Sequence, residues 1–237
     1  MSVYKEGDVK RLRKTLAFII CICMLIMPVK AVEQDKQVAL TFDDGPSGKF
    51  TRRLLEGLEE RGVKATFLLC GYRMEQYPAL TEQIIENGHE IGLHGYSHKP
   101  MHNMRYEDVV LEIQKSLELL PENCNINFLR PPGGFCQNCL ESAAKEFGLS
   151  ILHWSVDPKD WAVHDAQVIK KSVINQVRDG DVILLHDMSD SSVNAALAII
   201  DALQKQGFQF VTASELANFK STELVPGKKY TRFEHCS

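Results

Sequence analysis

The chain has 237 residues, a formal net charge of −4 and 44% hydrophobic residues, enough apolar material for one sizeable core and an ordinary length for an α/β barrel. The first 31 residues carry six basic and two acidic groups. The rest holds 21 Lys+Arg and 29 Asp+Glu, a net charge of −8 with no basic stripe, so no nucleic-acid partner is expected and attraction to a polyanionic cell wall by net charge alone is weak.

In chain order, residues 1–31 read first as a targeting segment. Lys10, Arg11, Arg13 and Lys14 form a basic n-region, residues 16–27 are continuously apolar, and Val29-Lys30-Ala31 offers small residues at the spacing a signal peptidase reads. The run is shorter than the about 20 apolar residues of a comfortable span. A cleaved signal peptide is expected, with an uncleaved N-terminal membrane anchor as the alternative. Either one exports the domain, which is then secreted or held at the cell surface.

From residue 38 onward, strand and helix patterns alternate. Residues 38–42 read as a short buried strand. Phe50, Leu54, Leu55 and Leu58 have helical spacing, and Gly62 ends that helix. A second strand covers 65–69. Pro78 opens a helix that Gly88 closes. A third strand covers 90–93, and Val109, Ile113, Leu117 and Leu120 mark a longer helix stopped by Pro121. Strand four is 127–129, followed by a helix through Leu140, Ala143, Ala144 and Phe147. Strand five is 150–155, then a helix over 168–177. After the Asp179-Gly180 turn, strand six covers 182–185. A helix over 195–203 leads to strand seven at 208–211. Such alternation means parallel strands with helices outside. Seven units suit a distorted seven-stranded parallel (β/α) barrel in a single domain, residues 36–220. A doubly wound open sheet is the second choice, but no G-x-G-x-x-G follows the first strand. Residues 221–237 read as a C-terminal tail, with a linker-like Val225-Pro226-Gly227-Lys228-Lys229.

The cysteines follow the same division. Cys21 and Cys23 lie in the targeting segment; Cys70, Cys124, Cys136, Cys139 and Cys236 remain. Export makes disulfides possible, and an odd count leaves one thiol free or paired between chains. Cys136-Gln137-Asn138-Cys139 offers half a zinc site with no second half. A local disulfide, or Cys124 paired with one of the two, is the expectation.

Polar residues collect at the carboxyl ends of these strands. Asp43 and Asp44 follow strand one, His94 and His98 strand three, Arg130 strand four, Asp157 and Asp160 strand five, and His186 strand six. Barrel enzymes keep their chemistry on that face. One carboxylate and two imidazoles can hold a divalent ion with an open position for water, beside a second carboxylate. Each motif alone has a plainer reading: a turn cap for Asp43-Asp44, surface histidines for His94 and His98, a packed core histidine for His186, a surface ion pair for Arg130, an ordinary turn for 157–161. His89, His102, His153, His164 and His235 have no partner pattern, and no role is expected for them.

Taken together and in this order, the motifs resemble the polysaccharide deacetylase family (NodB-homology domain, carbohydrate esterase family four) over residues 36–220. Thr41-Phe42-Asp43-Asp44-Gly45-Pro46 matches its first motif, His94-x3-His98 its second, Arg130-Pro131-Pro132 its third, Asp157-x2-Asp160-Trp161 its fourth and Leu184-Leu185-His186 its fifth. The resemblance implies that Asp44, His94 and His98 hold a divalent metal: zinc, or else cobalt, nickel or manganese. It implies that Asp43 is the general base, oriented by Arg130, and that His186 is the acid protonating the leaving amine, polarised by Asp160. Pro132, Gly133, Trp161 and Leu184 would contact substrate, with Trp161 and Leu184 lining the acetyl-methyl pocket. Two positions depart from the family. Gly95 stands where Ser or Thr is usual, and Gly133 where Tyr is frequent. The second departure costs the groove wall an aromatic, although a backbone N–H there could still face the oxyanion. The expected activity is an exported, metal-dependent, monomeric N-deacetylase of acetylated sugar polymers, with peptidoglycan N-acetylglucosamine as the leading substrate. Chitooligosaccharides and O-acetylated xylan lie within the family's range. A catalytically dead carbohydrate-binding relic would be expected to lack Asp43 or His186, and both are present.

Overall fold

Strand β1 (Lys36–Asp43) is buried from its second residue to its last, and burial on both faces is what a central parallel strand requires. Around it the computed structural model, which describes residues 36–136 and 138–234, arranges β2 (Thr66–Leu69), β3 (Glu90–Leu93), β4 (Phe128–Leu129), β5 (Ser150–Leu152), β6 (Val182–His186) and β7 (Phe208–Val211). The targeting segment, His235 and Cys236 lie outside the described residues. One edge of β1 pairs with β6; the other is shared, its first half with β7 and its second with β2. Strands β2 to β5 follow in sequence order, all parallel. A single bridge, Val156 to Ile183, joins the end of β5 to β6. The order runs from β1 to β5 without reversal and returns to β1 through β6. That is a distorted, curled barrel of seven parallel strands; a doubly wound sheet would reverse at a switch point.

The expected helices form where their apolar spacing put them. Helix α1 (Gly48–Glu60) buries Thr51, Leu54, Leu55 and Leu58. Helices α2 (Gly71–Gln76) and α3 (Pro78–Glu86) follow β2, with Pro78 in the first turn of α3. Helix α4 (Tyr106–Leu117) has Glu107 and Asp108 in its first turn and Lys115 in its last, matching the macrodipole. Helix α5 (Asn138–Glu146) precedes β5. Asp165 caps α6 (Ala166–Gln176) by accepting from the N–H groups of Gln167 and Val168, and Ser189 caps α7 (Asp190–Gln204). Helix α2 was not expected, and neither was α8 (Ala213–Phe219). The signal for α8 is present in the sequence as Thr212-x2-Glu215, which forms a reciprocal capping box.

Alternation within the strands divides the core. Val38, Leu40 and Phe42 of β1 pack outward against α1 and α7 residues such as Leu54, Leu58, Ile199 and Leu203. Ala39, Leu68, Phe128, Leu152 and Val182 pack together inside the barrel, over Ala213, Leu216 and Ala217 of α8. Two or four residues further along the strands, the side chains on this inner face become polar or aromatic: Asp43, His94, Arg130, Trp154 and His186. The site is therefore the top layer of the barrel interior.

Residues 221–234 differ from the tail expected for them. Strand β8 (Lys229–Tyr230) pairs parallel to β5. Tyr230 and Phe233 are buried and stack at 5.5 Å. Phe233 N–H donates to the Gly180 carbonyl, and a Cβ on Gly180 would meet Phe233 O at 1.9 Å. Two aromatics in a polar stretch are too few to show a period, so their burial depends on a surface that only the folded barrel offers. The expected disulfides are also not seen. Cys70, Cys124, Cys136 and Cys139 are free; the Cys136 Sγ lies 3.2 Å from His153 Nε2, and Cys139 Sγ–H donates to the Met104 carbonyl.

Candidate active site

The end of β1 turns sharply into α1. Asp44 has φ 72°, in the left-handed region that a non-glycine residue adopts at a cost of about 1–3 kcal/mol. Strain of this kind persists only where surroundings enforce it. Here Asp187, directly after His186, supplies the enforcement. It is fully buried; Ser47 Oγ–H donates to its carbonyl and Thr51 Oγ1–H to its carboxylate. Its carboxyl packs so closely on Gly45 that a Cβ there would lie 2.6 Å from both oxygens. Burial pushes the Asp187 carboxyl up to about 7. Sequence reading missed Asp187; its only signal was a carboxylate following a very apolar strand. Gly45→Ala should lower the unfolding free energy by about 1–3 kcal/mol, the usual cost of overpacking, and should displace Asp44. A thermal melt equal to wild type would show that the loop yields without cost.

His94 leaves β3 with its N–H on the Leu69 carbonyl at 2.8 Å. The turn to His98 is gathered by Glu112 of α4, whose carboxylate accepts from Tyr96 N–H at 2.8 Å, Ser97 N–H at 2.7 Å and Ser97 Oγ–H at 2.7 Å. Gly95, the departure noted in sequence, has a local reason. It has φ 74°, and a Cβ would lie 2.6 Å from Met101 Cε.

Asp44, His94 and His98 converge, with one ligand atom from each within 4.8 Å of the others. Among the described residues no other such group occurs, so the Cys136–Cys139 pair forms no metal cluster there. His94 Nδ1 lies 2.7 Å from the Arg130 carbonyl, so Nδ1 carries the proton and Nε2 presents its lone pair. Asp44 Oδ1 is 3.3 Å from His94 Nε2 and 2.9 Å from His98 Nε2, yet no N–H is aligned to satisfy it. Lone pairs meeting at one point fit a cation. Burial pushes the Asp44 carboxyl up, but positive charge on the two imidazoles outweighs it and holds the carboxyl far below the usual range, so the position favours a carboxylate facing positive charge. The Asp44 carboxylate in turn raises His98. Two nitrogens and one oxygen suit a borderline divalent ion.

Two ion pairs flank this cluster. Arg130 is completely buried. Its guanidinium donates to Asp43 Oδ1 at 2.6 Å, Thr41 Oγ1 at 2.9 Å, the Leu152 carbonyl at 2.8 Å and the His153 carbonyl at 2.8 Å. Burial pulls the Arg130 pKa down and Asp43 opposes it; arginine begins high enough to stay charged. Asp43 Oδ2 is left 3.9 Å from His94 Nε2. On the other side, Asp160 grips His186 twice, accepting from its backbone N–H and lying 2.8 Å from ring Nδ1. Burial lowers the His186 pKa, but Asp160 above all, with Asp43 and Asp44, raises it to about 9. The imidazolium is thus charged at neutral pH, with Nε2–H left free of Asp160.

A cavity of about 450 Å³ joins these parts, walled by Asp43, Asp44, His94, His98, Gly133, Trp154, Asp157, Trp161, Leu184 and His186. Arg130 and Asp160 stand behind it. Pro132 is buried and is not part of the wall. Trp154 was not anticipated. It is the residue two beyond Leu152, stacked on His153 at 5.4 Å with the Arg130 guanidinium 5.6 Å from its ring, and the inward period of β5 was its signal. His89, given no role, is buried at the opposite end of its strand, where Nδ1 accepts from Ala65 N–H.

Residues 30–152, slightly more than half of the chain, match the sequence profile of a family described as polysaccharide deacetylase. The chain is 37% identical over 194 residues to a peptidoglycan-N-acetylglucosamine deacetylase of Bacillus cereus, covering 78% of this chain and 90% of that protein. It is 33% identical over 204 residues to the peptidoglycan-N-acetylglucosamine deacetylase PgdA of Listeria monocytogenes, covering 85% of this chain but only 42% of that longer protein. A solved family 4 acetyl xylan esterase from Clostridium thermocellum, in complex with a cobalt ion, superposes with a TM-score of 0.77 at 32% identity over 83% of this chain and 98% of that one. A profile match over half the sequence, a relative covered nearly end to end and a shared fold lead to one assignment: the chain belongs to the polysaccharide deacetylase family of hydrolases.

Proposed function

We propose that this chain hydrolyses the acetamido group of N-acetylglucosamine residues in peptidoglycan, outside the cytoplasm, releasing acetate and leaving a free amine. The carrying observation is the pairing of opposite tasks across one cavity: Asp43 held by Arg130 on one side, His186 held by Asp160 on the other. Amide hydrolysis needs a proton taken from water and a proton given to nitrogen, and this arrangement provides one group for each. Two relatives named for peptidoglycan N-acetylglucosamine support the substrate, and the basic and apolar character of residues 1–31 supports export.

In this reading Asp44, His94 and His98 hold a divalent ion, zinc in the first place. When bound, it lowers the pKa of a water and offsets negative charge developing on the acetyl oxygen. Arg130 fixes Asp43 through Oδ1, so the other carboxylate oxygen takes the water's proton. Asp160 fixes His186 through Nδ1, so Nε2–H faces the leaving nitrogen. Leu184 and Trp161 enclose the acetyl methyl, and Gly133 forms the wall beside it. The chain is read as acting as a monomer. The segments are read as 1–31 for export, 36–220 for the catalytic domain and 221–237 as its C-terminal extension.

The test is mass spectrometry of products from purified peptidoglycan, chitin oligomers and acetylated xylan. Loss of acetyl groups as free amines on peptidoglycan supports the proposal. Release of acetate from xylan alone would transfer the chain to ester substrates. Chelation should abolish activity, and zinc or cobalt should restore it, because the three ligand atoms converge on one point that a divalent ion fits. Full activity after verified metal removal would rule out the metal-dependent mechanism.

A further inference from the structure

Two large aromatic side chains stand exposed at this end of the barrel, on different loops: Trp161, 63% exposed, after β5, and Phe135, 60% exposed, after β4. Trp161 walls the cavity. Phe135 belongs to nothing described so far. It is nonetheless held in place. One side of its ring rests on His102, with centroids 5.0 Å apart and planes at 59°. Its Cδ2 and Cε2 lie 3.4 and 3.5 Å from the point where a side chain on Gly133 would begin, and Gly133 is part of the cavity wall. The ring therefore covers the space that a side chain at 133 would take. Two consecutive left-handed residues, Gly133 with φ 73° and Gly134 with φ 75°, turn the chain back to make this possible. A Cβ on Gly134 would lie 2.7 Å from Trp154, so the loop is pressed onto the barrel top and the next side chain projects outward.

We propose that Phe135 is the stacking platform of a sugar subsite next to the cavity, taking the neighbouring pyranose of the glycan whose acetyl group is removed. This inference rests on the glycan reading above. The axial C–H groups of a pyranose carry partial positive charge and meet the negative face of an aromatic ring. A cavity of about 450 Å³ is of small-molecule size, so the next sugar of a polymer crosses its rim, where Phe135 stands. The groove has thus regained, from two residues along the chain, the aromatic it lacks at Gly133. A ring face reads no acetyl group, so the subsite selects for chain length.

The test uses N-acetylglucosamine oligomers from dimer to pentamer. In the wild-type chain kcat/KM should rise with length, mainly through a falling KM. Phe135→Ala should flatten that rise and raise KM on the pentamer about tenfold, the scale of ring stacking, while Phe135→Trp should restore it. Calorimetry of the pentamer with metal-loaded Asp43→Asn, with and without Phe135→Ala, reads binding apart from turnover, and the added substitution should weaken affinity by the same factor. If the wild type deacetylates the oligomers but Phe135→Ala keeps both the length dependence and the affinity, the subsite is wrong and the functional reading stands. If the wild type neither binds nor deacetylates any oligomer nor peptidoglycan, the glycan reading fails and takes the subsite with it; activity on peptidoglycan without any binding of the oligomers overturns the subsite alone.

Discussion

Asp43→Asn should lower turnover by about 10³–10⁴-fold, within the usual worth of general base catalysis, while the protein keeps its metal. The substitution preserves volume; it removes the ability to accept a proton together with the charge that faces Arg130. Arg130 retains Thr41 Oγ1 and the carbonyls of Leu152 and His153 as acceptors, so the buried guanidinium is not stranded and the fold survives. Asp43→Ala is the harsher control, because removing one partner of a buried pair costs about 3–5 kcal/mol. Asp44→Ala should do the reverse of Asp43→Asn and empty the site, since Asp44 Oδ1 is the atom that both imidazoles face. Metal content measured beside kcat separates the two roles. An Asp43→Asn protein that has lost its metal would mean that base and ligand have been exchanged.

His186→Ala should cut turnover on an acetamido sugar by about 10²–10⁴-fold and leave metal content unchanged, because the imidazole is not among the three converging ligands. The loss should be smaller on an acetyl ester, where an alkoxide departs more easily than an amide nitrogen. Equal losses on both substrates would return His186 to a packing or orienting role. The pH profile gives a second reading. His186 is raised to about 9, so it is protonated at neutral pH and activity should fall on the alkaline side as it deprotonates. A cation bound beside it opposes the effect of Asp43 and Asp44, so the limb should lie at or below pH 9. Stability follows the same sign. The folded value lies above the ordinary 6.5, so the His186–Asp160 pair contributes fully below pH 6.5 and loses its contribution as pH rises through 9. The melting-temperature difference between wild type and His186→Ala should shrink across that window.

Much of this protein could be read from local pattern. Strand and helix periods are properties of short windows, so the seven strands and most of the helices around them were legible. Their carboxyl ends already named Asp43, Asp44, His94, His98, Arg130, Asp160 and His186. What sequence could not supply was which side chains meet. Trp154, Asp187 and Phe135 carry no motif, and each matters through a neighbour more than nineteen residues away or through a backbone turn that hides in a pair of glycines. Asp187 is defined by its contact with Gly45 and Thr51. The Tyr230–Phe233 pair closes the barrel against Gly180 although its surroundings read as linker. The expected disulfides failed for the same reason: spacing along the chain says nothing of where a thiol points, and Cys136 turned to His153.

The sequence by itself determined the alternation of elements, and with it the face on which the polar residues collect, because both follow from the side-chain period of a single strand. The pairings of Arg130 with Asp43 and of Asp160 with His186 were already implied by the resemblance to the family; only the tertiary structure decided that Asp187 packs on Gly45, that Trp154 stands beside Arg130 and that Phe135 rests on His102 at the rim. Those relations join segments tens of residues apart, and their free energy exists only after the barrel has brought the segments together and excluded water from between them.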